Sequence, residues 1–170
     1  MKYFNFFFIS VFLLYSCNGK NRNSSSNENL NSSNLKKEII FNNDIESYGV
    51  FLDISANDTL NYESLSISLM LADRGNAKAN FMVFYHLIST YHFNKYNLQH
   101  INQLSTVNKN FALYYLIRSA KMNDFAGQIA LEEIYRAGIG LEKNKAKADS
   151  ILTILKSKNP SFIPSYMEKN

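Results

Sequence analysis

From residue 36 onward the apolar residues of this chain recur at helical spacing. The last stripe is the cleanest. Ala148, Ile151, Leu152 and Leu155 stand at i, i+3, i+4 and i+7, which puts them on one helix face. The pattern stops at Lys158-Asn159-Pro160, where lysine meets the negative end of the helix dipole and proline ends the run. Before it, Ala126, Ile129, Ala130, Ile134 and Tyr135 line one face of a helix expected from about Phe125 to Ala137. Asp124 suits its N-cap. Two earlier segments, Lys109 to Asp124 and Ala77 to Phe93, are apolar nearly all round, as helices sandwiched between neighbours are. Asn76 can cap the start of the latter, and Gly75 can end the helix before it. The stretch Tyr62 to Ala72 reads two ways. Leu65, Ile67, Leu69 and Leu71 alternate with Ser64, Ser66, Ser68 and Met70, as in a strand, while Tyr62, Leu65, Leu69 and Ala72 fit a helix. The junction after it matches the later helix junctions and favours the helix. A further helix is expected around Asp44 to Ile54. The fold class that follows is all-α.

The first residues carry a different pattern. Lys2 is followed by an apolar run from Tyr3 to Tyr15, broken only by Asn5 and Ser10. A charged start and a short apolar core make a secretory signal peptide, and the run is shorter than the roughly 20 residues a membrane-spanning helix needs. It ends in Leu14-Tyr15-Ser16-Cys17, and Cys17 is the only cysteine of the chain. This resembles a bacterial lipobox, which implies cleavage after residue 16 and a lipid on Cys17. The membrane would then be reached through that anchor, held by about 0.8 kcal/mol for each buried methylene. Of the 17 residues Asn18 to Asn34, seven are Asn and five are Ser. Such a stretch buries too little apolar surface to offset its ordering entropy and reads as a tether with a reach of roughly 20–25 Å. The expected divisions are a lipoprotein signal peptide over 1–16, a lipidated tether over 17–37, a helical domain over 38–158 and a tail over 159–170.

The helix junctions repeat. Ser55–Asp58, Ala72–Asn76 and Ala120–Asp124 each end a helix on a small residue, supply Gly or Asn for a left-handed turn, and cap the next helix with Asn or Asp. Recurrent helix-turn-helix units predict a short α/α solenoid of about five or six antiparallel helices. The residues from Ala126 to Ala148 resemble a Sel-one-like repeat, a relative of the tetratricopeptide repeat. Ala126, Ala130, Leu131 and Tyr135 match its first helix, and Gly138-Ile139-Gly140-Leu141 its turn. Asn144 follows, and Lys147-Ala148 fall in its second helix. Ala112 to Asp124 resembles the second helix of a preceding unit. That unit departs from the pattern: Asn76 and Asp124 are 48 residues apart, against roughly 34 in the tetratricopeptide unit. The excess lies in Asn94 to Val107, which lacks a Gly-x-Gly turn and reads as an inserted loop.

Charge and candidate chemistry narrow the function classes. A formal net charge of +4 with no block of like charges predicts no nucleic-acid partner. Lys143, Lys145 and Lys147 read as a solvated helix face. Gly138-Ile139-Gly140 follows a helix, not a strand, and no Gly-Lys-Ser/Thr ending accompanies it, so a hinge is expected and not a phosphate cradle. His86 and His92 stand six apart without a carboxylate at i+4, and with His100 they predict no metal site. Glu132 and Glu133 are expected on the solvent side of their helix. No catalytic residue and no cofactor is expected. The resemblance implies a cell-envelope lipoprotein that binds another protein, in its sharper form an immunity-type inhibitor of a toxin. The alternatives are a cell-wall-associated hydrolase and a general envelope scaffold.

Overall fold

The computed structural model describes residues 32–42, 44–55, 61–89 and 96–167. Cys17, the signal peptide, most of the expected tether and the 55–58 junction beyond Ser55 lie outside them. Among the described residues the chain is all-helical, with α1 (Ser32–Asn42), α2 (Ile45–Ser55), α3 (Asn61–Asp73), α4 (Ala77–Ser89), a 3-10 helix η1 (Leu98–Gln103), α5 (Thr106–Lys121), α6 (Phe125–Ala137) and α7 (Lys145–Lys158). These are more helices than the five or six expected. No described helix is long and apolar enough to cross a membrane.

Local chemistry accounts for most boundaries. The side chains of Asn76, Ser105, Asp124 and Asn144 each accept a hydrogen bond from the amide three residues on, at 2.7–3.3 Å, satisfying an otherwise orphaned donor. Gly75, Asn123 and Gly138 take positive φ where a helix ends. The junction plan expected at Ala72–Asn76 and Ala120–Asp124 is therefore present in both places.

Helices pack chiefly on their sequence neighbours. Arg136 meets Asp149 near the turn while Gln128 meets Lys158 at the far end, so α6 and α7 run antiparallel. Two cores form. Ile39, Tyr48, Phe51, Ile67, Leu71, Ala79 and Val83 build one from α1 to α4. Phe84, Ile88, Ile101, Leu116, Ala130 and Ile134 are among those that build the other from α4 to α6. The helix α4 feeds both, as its nearly all-round apolar pattern requires.

Several expectations are corrected. The helix α1 begins at Ser32, inside the stretch expected as tether, because Leu35 and Ile39 lie one turn apart and are both buried. The stretch Asn94 to Val107 is not simply a loop: Leu98, Ile101 and Leu104 recur every third residue, the 3-10 period, and are buried. In α3 the buried face is Ser64, Ile67, Ser68, Leu71 and Ala72, a helical series in which two serines replace apolar residues. The Tyr48 hydroxyl meets Ser68 Oγ at 2.9 Å there. The helix α5 packs between α4 and α6 as expected, but not all round: Val107, Phe111 and Tyr114 are exposed along one side.

Candidate interaction surface

The turn after α6 carries the repeat-like residues. Gly138 adopts φ +76° and Gly140 φ +69°, a region in which residues with a Cβ are strained. The chain then returns, and the Asn144 amide donates to the Tyr135 carbonyl at 2.8 Å. Gly140 has a second constraint. A Cβ there would run into Ile101 Cγ2, and its amide donates to Asn102 Oδ1 at 3.1 Å. The turn is therefore pressed onto η1, the stretch in which no structure was expected.

The other repeat-like residues face inward. Ala126, Ala130, Leu131 and Ile134 are buried in the second core, and Tyr135 packs against it partly exposed. Lys147 Nζ lies 5.1 Å from the centroid of the Tyr135 ring, a cation–π contact across the hairpin. Ala148 is fully buried between α7 and its neighbours. Gly127 was not singled out by pattern, yet it marks a close approach of α5 to α6. A Cβ at Gly127 would overlap the Ser119 side chain.

Glu132 is 2% exposed, which overturns its expected place on the solvent side. Its Oε1 accepts from Arg136 Nε at 2.6 Å and from the Tyr166 hydroxyl at 2.9 Å. Arg136 also donates to Asp149 at 2.8 Å and lies 5.0 Å over the Tyr166 ring. A buried carboxylate is tolerable only when paired in this way. Neighbouring Glu133 accepts from Ser165 Oγ at 3.1 Å, and burial pushes its carboxyl above the usual range. The two carboxylates thus lie beneath residues 159–167, the segment expected as a tail. Phe162 packs edge-on against Phe125 with ring centroids 5.4 Å apart, and Pro164 is buried.

The histidines are separated by role. His86 is buried in α4, and burial lowers its pKa to about 4. His100 Nδ1 lies 3.1 Å from the Ile88 carbonyl oxygen, tying η1 to α4. His92 lies outside the described residues. Among the described residues no three His, Cys, Asp or Glu side chains form a metal-holding group. Lys143, Lys145 and Lys147 are exposed beside the Gly138–Gly140 turn. These groups fasten residues 159–167 onto α6 through a covered polar contact flanked by aromatic rings. No protein-family model, curated protein or solved structure matches the chain.

Proposed function

We propose that this is a lipid-anchored cell-envelope protein whose helical domain is a short α/α solenoid of Sel-one-like repeats that binds another protein. The observation that carries the reading is the Gly138–Gly140 hinge. It joins two antiparallel helices, and its second glycine is docked on the preceding unit through Ile101 and Asn102. Interlocked hairpins of this kind make extended surfaces suited to protein partners. In its sharper form the partner is a toxin that the protein neutralises as an immunity-type inhibitor, held near the membrane by the tether. Nucleic acid and a cofactor have no part in the mechanism, and no residue is assigned a catalytic role. The anchor rests on Leu14-Tyr15-Ser16-Cys17.

The test has two arms. Replacing Cys17→Ala is expected to move the protein from the membrane fraction to the soluble fraction or to leave it unprocessed. A variant that still fractionates as a mature lipidated species would sink the anchor. Cross-linking in intact cells followed by purification is expected to return one dominant protein partner. Recovery of no partner sinks the interaction reading, and recovery of many in similar amounts favours the scaffold.

A further inference from the structure

The helix α5 turns one stripe to solvent. Val107, Phe111, Tyr114, Arg118 and Lys121 follow one another at alternating steps of four and three, so they share a face. Val107 is 76% exposed, Tyr114 56% and Phe111 43%, while Ala112, Leu113, Leu116 and Ala120 are buried on the other side. The exposed rings are braced. Tyr115 meets Phe111 edge-on with ring centroids 5.0 Å apart and Tyr114 likewise at 5.2 Å, and Tyr115 itself packs against the first core. The charge on the helix has one sign: it carries Lys109, Arg118 and Lys121 and no Asp or Glu. No described carboxylate forms an ion pair with any of the three. Asp124, the next acid along the chain, is engaged in capping α6. Aromatic and aliphatic side chains that stand out from a folded helix beside such cations match a surface that is apolar within and negative at its rim, as an anionic phospholipid layer is. The other exposed apolar pair, Phe41 and Ile45, stands among Glu38, Asp44 and Glu46, which such a layer repels.

We propose that this face of α5 rests on anionic phospholipid of the membrane that holds the anchor. Val107, Phe111 and Tyr114 enter the interface, and Arg118 and Lys121 meet headgroup phosphates. The inference rests on the lipid anchor proposed above and adds a second contact to it. Because α1 begins at Ser32, only the 14 residues 18–31 lie between Cys17 and the helical domain. A chain of that length and composition spans roughly 20 Å on average and about 50 Å at most. The 16 residues of α5 make a helix about 24 Å long. The anchor therefore keeps the domain within a helix length or two of the lipid. Attachment makes the second contact intramolecular, so three apolar side chains and two cations suffice where a free protein would need a larger surface. Docking through α5 also orients the domain and leaves its other faces turned outward for a protein partner.

The experiment uses the full lipidated protein with vesicles of phosphatidylcholine, alone or with an equal part of phosphatidylglycerol. The chain has no Trp, so Tyr114→Trp supplies a sole fluorescent reporter on the face. Val107→Trp is a second reporter there, and Phe41→Trp, at a position 79% exposed on α1, is the control. Flotation with the vesicles reads the anchor, and emission reads the face. All three proteins are expected to float with both vesicles. Only Tyr114→Trp and Val107→Trp are expected to shift to shorter wavelength and to be quenched by brominated acyl chains, and only where phosphatidylglycerol is present. Adding Arg118→Glu with Lys121→Glu is expected to remove the shift while flotation persists. Salt at about 1 M, where the Debye length falls to about 3 Å, is expected to do the same. Flotation with no shift at either α5 reporter overturns the contact and leaves the anchor standing. Equal shifts on α5 and at Phe41→Trp overturn it as well, because no one face is then presented to the lipid. A shift of the same size in both vesicles overturns the role of the cations. Emission that moves only when a protein partner is added assigns the face to that protein instead. Absence of flotation overturns anchor and contact together.

Discussion

Two glycines two residues apart carry different burdens. Gly138 needs its positive φ, and a Cβ there would meet only the Lys143 side chain and backbone at 3.2 Å and beyond, contacts that small shifts relieve. Gly140 needs its positive φ and also the space that Ile101 would otherwise take. Gly138→Ala is therefore expected to cost about 1 kcal/mol of stability, the ordinary left-handed penalty. Gly140→Ala adds overpacking and is expected to cost roughly 2–4 kcal/mol. Denaturant titration with equal m-values checks the order, and an equal loss for the two would refute the docking of the turn on η1. His86 makes a second residue-scale case. Its folded pKa is about 4 because burial penalises the imidazolium, against about 6.5 in an unfolded chain. Between those values the unfolded chain binds a proton that the folded chain does not. The stability this gives is fully present above pH 6.5 and is lost as pH falls toward 4, at about 1.4 kcal/mol per pH unit. Asp124 and Glu133 act in the opposite sense lower down, since burial raises both carboxyl pKa values and they hold protons longer when folded. The histidine effect is thus read between pH 7 and 5.5. There His86→Gln is expected to flatten the fall in unfolding free energy, and parallel slopes for both proteins would count against it.

At the scale of an element, the contact between α5 and α6 depends on a missing side chain. Gly127 lies over Ser119, and a Cβ in its place overlaps Ser119 Oγ and crowds its Cβ. Gly127 otherwise sits in a helix, where alanine would be favoured by about 1 kcal/mol. Gly127→Ala is nonetheless expected to destabilise, by roughly 1–3 kcal/mol, because the added methyl meets Ser119 Cβ and the Ala120 backbone nitrogen as well as the hydroxyl. Combining it with Ser119→Gly is expected to cost less than the two single changes added together, as a double-mutant cycle by thermal unfolding would register. Additive losses would mean that the helices do not meet there. The same comparison explains what could be read in the chain beforehand. Asp124, Asn144, Gly75 and Gly138 act on amides or dihedrals within a few residues, so their chemistry is visible in local order. The 3-10 helix at Leu98–Gln103 was hidden because three apolar residues in a run rich in Asn and Gln resemble a loop until their spacing of three is noticed. The start of α1 was hidden by the Asn and Ser around it. The burial of Glu132 could not be read at all, because its hydroxyl partner Tyr166 is 34 residues away in sequence. An acidic pair on a helix has no local mark that tells a solvated face from a covered one. Gly127 could not be distinguished from any other helical glycine for the same reason: the residue that requires it is on another helix.

Across the described domain, cooperativity turns on α4. Adjacent residues of this helix serve different cores, Val83 the one built from α1 to α4 and Phe84 the one that continues through η1, α5 and α6. In an array where each element touches mainly its neighbours, stability is close to a sum of local terms, and regions open separately unless a shared element binds them. Within the first core, α2 is tied to α3 by the buried Tyr48–Ser68 hydrogen bond, and α1 is tied to the two ends of α3 by Lys36 with Glu63 at 2.7 Å and Arg74 with the Ile40 carbonyl at 2.8 Å. Exposed ties of the latter kind contribute little, so the apolar contacts of Tyr48 and Phe51 carry the attachment. Phe51→Ala is expected to remove about 3–5 kcal/mol from that core. The loss should be local: amides of α1 and α2 exchange faster, while those of α5, α6 and α7 keep their protection. Phe84→Ala removes a similar amount from the shared helix. It is expected to lower protection in α3 as well as in α5 and α6, because α4 can no longer hold the two cores together. Native-state hydrogen exchange resolved by fragment would separate the cases. Uniform loss of protection in both variants would show one indivisible unit. Confinement of the Phe84 effect to α5 and α6 would show that the cores do not communicate through α4.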